Sequence, residues 1–200
     1  MNKGESISAL RKAVFLDRDG TINEERNYLH RIEDFAFIPG VPLAIRRLNQ
    51  AGFLVIVVTN QSGVARGYFE LADVERLHEH VACRLASEQA YVDGFFICPH
   101  HPEAGIGHLR RQCDCRKGAP GLLLQAAEQL HVDLSQSFMV GDKNADMEAR
   151  RRAGCTPLLV MTGYGSETAR SIDPAIGRFA SLVEAVDFIL RQDGSESVTA

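Results

Sequence analysis

Two hundred residues, 45% hydrophobic and 24% charged, suffice for one globular domain, 1–200, with a proper core. A net charge of −4 with scattered basic residues argues against a nucleic-acid partner held on a broad basic face. No apolar run reaches membrane-span length and Met1–Ser6 has no signal-peptide core behind it, so a cytoplasmic protein without membrane contact is expected; a monomer is the expectation for its assembly, though no sequence feature reads it out.

The apolar run 13–16 predicts a buried strand, and Gly20 a turn beyond it. Asp17 and Asp19 stand between them, and because residues i and i+2 of a strand share a side, their carboxylates should lie close together where the strand gives out. Like charges that close call for a cation or a shared proton. A polar stretch, 21–38, leads to apolar residues at helical spacing over 41–48, stopped by Gly52. Residues 53–58 are nearly all apolar, as in a central strand covered on both faces, and end at Thr59-Asn60-Gln61-Ser62-Gly63. There follow an amphipathic helix over 71–90, a strand at 95–97 and a loop rich in Cys, His, Pro and Gly to residue 118. A helix over 120–131, a strand at 137–140 followed by Asp142, a helix through Arg151 and a strand at 157–160 complete the order. After Arg191 the chain reads as a disordered tail. The alternation predicts an α/β fold, a Rossmann-like parallel sheet with helices on both faces.

In open parallel sheets ligands bind at the carboxyl ends of the strands. Three predicted strand ends carry Asp17 with Asp19, Thr59 with Asn60, and Asp142, which together would form one polar site. Hard oxygen ligands suit Mg²⁺, which commonly bridges a carboxylate and a phosphate. A carboxylate can also attack phosphorus, giving an aspartyl-phosphate that water hydrolyses.

"DRDGT", "VVTNQSG", "CRKGAPG" and "GDKNAD", in that order, resemble the four motifs of the haloacid dehalogenase (HAD) superfamily of phosphatases over residues 12–165. The resemblance implies Asp17 as nucleophile and Asp19 as general acid/base, with Mg²⁺ held by Asp17, the backbone carbonyl of Asp19, and Asp142. It implies further that Thr59 hydrogen-bonds the transferring phosphoryl group and Lys117 neutralises it. Asp146 has two open readings: holding a metal-bound water, or serving as a first-turn acid favoured by the helix dipole.

Cys98-Pro99-His100 and Cys113-Asp114-Cys115 supply three sulfurs and an imidazole at paired positions over 98–115, which matches a closed tetrahedral Zn²⁺ site. His101 could replace His100, but His100 is the residue the family pattern matches. With no open position, the site is assigned a structural role, holding the loop that delivers Arg116 and Lys117. Five cysteines in all are an odd number, better explained by thiols and a metal than by a disulfide framework. Cys83 and Cys155 are expected on apolar faces.

The pairing of "CPHHP" with "CDCRK" resembles the D,D-heptose 1,7-bisphosphate phosphatases and their relatives, the histidinol-phosphate phosphatases. The short span between the first two motifs leaves no room for a large cap domain. The resemblance implies a phosphorylated-sugar substrate contacted by a flap, Glu25-Arg26-Asn27-Tyr28, by Asn60, Gln61 and Ser62, and by Arg116 and Lys143, with Arg66 a weaker candidate. Glu24, Glu25, Glu33 and Asp34 would instead suit the amine and imidazole of histidinol phosphate. A zinc-stabilised phosphate-binding protein without turnover is the non-enzymatic alternative. Gly118 departs from the proline expected after the lysine in the heptose enzymes.

Overall fold

The computed structural model describes residues 10–194. Strand β1 (Ala13–Leu16) is followed by α1 (Val41–Gln50), β2 (Leu54–Asn60), the short α2 (Ser62–Ala65), α3 (Leu71–Ser87) and β3 (Gly94–Cys98). Then come α4 (Gly121–Leu130), β4 (Phe138–Gly141), α5 (Asn144–Ala153), β5 (Thr156–Val160), α6 (Gly165–Thr168), β6 (Gly177–Phe179) and α7 (Leu182–Gln192). The strands form one sheet in the order β3-β2-β1-β4-β5-β6, with every pairing parallel.

Alternation along the central strands builds the two cores. Val14, Leu16, Val55 and Val57 point to one face, where they pack with Ile45 and Leu48 of α1, Leu77 and Val81 of α3, and Val186 and Ile189 of α7. Ala13, Phe15, Leu54, Ile56 and Val58 point to the other, against Leu122, Leu123 and Ala126 of α4 and Ala149 of α5. Burial on both faces is why these strands read as unbroken apolar runs.

The chain between β1 and α1 carries a single 3-10 turn, Ile32–Asp34, and no cap domain. Beyond Val160 the structure adds α6, β6 and α7, which the sequence reading did not name. Helix α7 is amphipathic, burying Leu182, Ala185, Val186, Ile189 and Leu190. The predicted tail after Arg191 begins inside this helix, and residues 195–200 lie outside the described ones. Cys155 is buried as expected, but Cys83 is exposed. On α3 the buried positions are Val74, Leu77, His78, Val81 and Leu85; Cys83, two residues past Val81, falls about 200° round the helix from it.

Candidate active site

The sheet brings the predicted strand ends together. Asp17 leaves β1 with its N–H on the carbonyl of Val140 in β4 (2.9 Å), and register pairs Leu16 with Val57 of β2 and Val140 of β4. Asp17, Thr59, Lys117, Asp142 and Asp146 are all buried. A cavity of about 40 Å³ is lined by Asp17, Asp19, Thr59, Asn60, Lys117, Lys143 and Asp146. It adjoins a larger one of about 290 Å³ lined by Asp19, Glu25, Asn27, Tyr28, Asn60, Gln61, Ser62, Lys143 and Tyr164.

The two aspartates of β1 do not share a counterion. Asp17 Oδ1 lies 2.5 Å from Lys117 Nζ and accepts the Arg18 N–H at 2.7 Å. Asp19 is held by Arg18, by Asn23 Nδ2 (3.0 Å) and by Gln61 Nε2 (3.0 Å). Burial alone would raise its pKa, but the Arg18 charge and these donors outweigh it and hold the carboxyl below its ordinary range. The repulsion expected between neighbouring carboxylates is thus met by two different protein cations.

Asn60 has a specific task. Its side chain accepts the Lys117 N–H (2.9 Å) and donates to the Lys117 carbonyl (3.3 Å), so the end of β2 fixes the lysine's backbone. Lys117 Nζ also lies 2.7 Å from Asp146 Oδ1. Burial opposes its charge, yet Asp146 and Asp17 more than offset this and keep it protonated. The other Asp146 oxygen accepts the Lys143 N–H at 3.0 Å, capping α5. The first-turn reading of Asp146 thus holds as a cap of α5, and the same carboxylate pairs with the site lysine, with its pKa pushed up by burial to about 6.

Asp17, Asp142 and Asp146 place a carboxylate oxygen each within 4.8 Å of one another, while the Asp19 carboxylate stands outside this group. Asp142 Oδ2 accepts the Tyr164 N–H (2.8 Å), but its Oδ1 is buried without a hydrogen-bond partner. A Cβ at Gly20 or Gly163 would run into the Asp142 carboxylate, so two glycines shape the space around it. Burial and the nearby Asp17 charge push Asp142 up to about 8. An orphaned oxygen in an acidic, glycine-walled recess fits a hard cation.

The second cluster is also assembled. Cys98, His100, Cys113 and Cys115 face one another, with sulfur–sulfur separations of 3.2–3.6 Å and His100 Nδ1 at 3.3 and 3.8 Å from Cys115 and Cys98. Tetrahedral ligands on zinc stand about 3.5–3.8 Å apart, so the donor set fits such an ion with little movement. His101 points elsewhere, its Nδ1 accepting the N–H groups of Glu103 and Ala104. Cys98 is paired in register with Asn60, which seats this cluster beside the lysine clamp.

The remaining predicted residues divide. Lys143 Nζ pairs with Glu25 (2.7 Å) in the larger cavity. Arg116 donates to the His100 carbonyl (3.1 Å) and, with Lys117 and Gly118, lines a separate cavity of about 400 Å³. Arg26 turns to Glu24 (2.8 Å) and lines a fourth, beside His30 and Asp34. Tyr164, absent from the sequence reading, joins the site from the loop after β5: its hydroxyl donates to Asn27 Oδ1 (3.2 Å) and its ring lies 4.9 Å from Lys143 Nζ. Asn27 and Tyr28 hold left-handed backbone (φ 43° and 59°), and Gly118 stands at φ 103°.

The HAD-hydrolase-like family profile matches residues 114–185. The D-glycero-beta-D-manno-heptose-1,7-bisphosphate 7-phosphatase of Escherichia coli K12 is 46% identical over 177 residues, 87% of this chain and 93% of that protein. The chain belongs to this HAD phosphatase family. The heptose-bisphosphatase of Haemophilus ducreyi is 44% identical over 181 residues, covering 88% of this chain and 99% of its own. Among solved structures, D,D-heptose 1,7-bisphosphate phosphatase from B. bronchiseptica, complexed with magnesium and phosphate, superposes with a TM-score of 0.82 at 35% identity, over 90% of this chain and 99% of that one. Family membership agrees with the parallel sheet and the strand-end site of the described residues.

Proposed function

We propose that this protein is a Mg²⁺-dependent phosphomonoesterase that removes the C7 phosphate of D-glycero-D-manno-heptose 1,7-bisphosphate, leaving the 1-phosphate for nucleotide-heptose and lipopolysaccharide core synthesis in the cytoplasm. The observation that carries the reading is the Asp17 carboxylate, buried at the end of β1 with Lys117 Nζ 2.5 Å away and a small polar cavity of about 40 Å³ beside it that adjoins the larger one. An Asp17 oxygen attacks phosphorus and the P–O bond to C7 breaks, while Asp19, which must first take up a proton against the Arg18 charge, gives that proton to the leaving oxygen. Asp19 then takes a proton from water as that water attacks the phosphoryl group, and the bond to Asp17 breaks. Lys117 and the Thr59 hydroxyl face the charge spread over the equatorial oxygens. Asp17, the Asp19 carbonyl and Asp142 would hold Mg²⁺, which supplies further charge neutralisation. The three cysteines and His100 would hold a structural Zn²⁺.

The flap charges favour a bisphosphate over histidinol phosphate. Glu24 pairs with Arg26, Glu25 with Lys143, and both Glu33 and Asp34 with Arg31, which leaves these acids already compensated. Lys143, which lines the larger cavity beside Asp19, supplies a cation for the phosphate that does not react.

The test is phosphate release from the heptose bisphosphate and from histidinol phosphate, with and without Mg²⁺. We expect kcat/KM to favour the bisphosphate by at least about tenfold, ~1.4 kcal/mol, and Asp17→Asn to lose several orders of magnitude while still folding. A lead for histidinol phosphate overturns the substrate, and near-normal turnover by Asp17→Asn overturns the nucleophile.

A further inference from the structure

Arg18 lies between Asp17 and Asp19, and its side chain is fully buried. An isolated buried guanidinium is costly, and even a paired one seldom adds stability over an apolar residue of like volume. Here every contact is specific. Nε donates to Asp19 Oδ1 (3.2 Å) and Nη2 to both Asp19 oxygens (3.0 Å each). Nη2 also donates to the carbonyl of Leu29 (2.9 Å), the residue next to the flap's Tyr28. Nη1 meets His78 Nε2 at 3.3 Å. Because the guanidinium can only donate, His78 must accept there, and so is neutral with its proton on Nδ1. Burial and the Arg18 charge agree with that, pushing the His78 pKa down to about 3. The imidazole is itself fixed by stacking on Phe95, with centroids 4.4 Å apart.

We infer that Arg18, braced by His78 from α3, is a positioning residue that aims the Asp19 carboxylate and ties it to the root of the flap. Three rigid elements thereby set one carboxylate: the β1 turn, the middle of α3 and the chain returning from the flap. With Asn23 on Oδ1 and Gln61 on Oδ2, the carboxylate is fixed in rotation about its axis, and Asp19 faces the cavity from a single orientation. A planar fork accomplishes this and a lysine, a point charge on a flexible stem, does not.

The inference rests on Asp19 as the acid/base, and the experiment separates the two. The variants Arg18→Lys, Asp19→Asn and their combination are assayed on hexose 6-phosphate, whose leaving oxygen needs a proton, and on p-nitrophenyl phosphate, whose leaving group does not. Arg18→Lys should lower kcat/KM on the sugar ester at least about tenfold more than on the aryl ester, and should add no further discrimination in the Asp19→Asn background. Equal losses on both esters, or discrimination that adds in full to that of Asp19→Asn, overturn the inference. If Asp19→Asn discriminates and Arg18→Lys does not, only the positioning role fails; if Asp19→Asn itself does not discriminate, the acid/base assignment fails and the inference with it. Should Arg18→Lys not fold, His78→Phe keeps the stacked ring and removes the acceptor: a loss in the same direction, about threefold or more, is expected, and equal losses overturn the inference.

Discussion

Lys143 Nζ sits 2.7 Å from Glu25 Oε2, so the cation beside Asp142 and the acid of the flap close on each other across the larger cavity. Burial opposes the lysine's charge, but Asp17 and Asp142 outweigh it and keep Lys143 firmly protonated. An incoming phosphate must compete with Glu25 for it. Lys143→Met should lower kcat/KM on the heptose bisphosphate by about 10–100-fold, the worth of one charge-assisted contact. Glu25→Gln should free the lysine and tighten competitive inhibition by inorganic phosphate several-fold; an unchanged inhibition constant would show that the pair does not gate anion entry.

The acidic recess makes stability depend on pH in an unusual direction. Asp142 has a folded pKa of about 8 against an ordinary 3.8, so the unfolded chain ionises first. Its contribution is complete below about pH 4 and is lost as pH rises towards 8. In Mg²⁺-free protein Asp142→Asn should therefore unfold at a higher temperature than the parent, with the gap widening from pH 5 to 8. Added Mg²⁺ should stabilise the parent far more than the variant, and thermal melts at several Mg²⁺ concentrations check both.

His78 works in the opposite sense. Its pKa falls from 6.5 to about 3 on folding, so its contribution is complete above about pH 6.5 and declines as pH falls towards 3. Between pH 7 and 5 one such group accounts for ~2 kcal/mol. His78→Phe should lack that slope, and denaturant melts of parent and variant at pH 7 and 5 should converge by about this amount. A constant offset would mean that His78 is not buried neutral.

Removal of zinc tests the loop. Protein purified without chelator should hold about one tightly bound zinc per chain that Mg²⁺ does not displace. Cys113→Ser should lower both zinc content and melting temperature, and impair catalysis indirectly, through Asn60 and the Lys117 backbone it clamps. Full zinc content in that variant would exclude Cys113 from the ligand set.

Much of this was legible because two periodicities and a few punctuating residues carry it. Double-faced burial made β1, β2, β4 and β5 visible as apolar runs, and the site residues stand at their ends. The cysteine pairs were visible from spacing alone. What was hidden is long-range. Tyr164 follows a strand without any motif, and only the sheet order brings it to Asn27 and Asp142. Arg18 looks like a surface charge in sequence, since nothing local says that α3 supplies an acceptor sixty residues on. The separation of Arg116 from Lys143 into different cavities depends on how the zinc loop turns, which its Gly- and Pro-rich composition does not encode.

Gly118 restricts what can follow Lys117. Its φ of 103° is closed to proline, whose ring fixes φ near −65°. Gly118→Pro would have to move the backbone immediately after Lys117 and would lose the Gly118 N–H donated to the Ala145 carbonyl (3.0 Å). The turn that carries Lys117 therefore admits glycine and excludes proline at the next residue, so a proline here would have to come with a redesigned turn rather than alone.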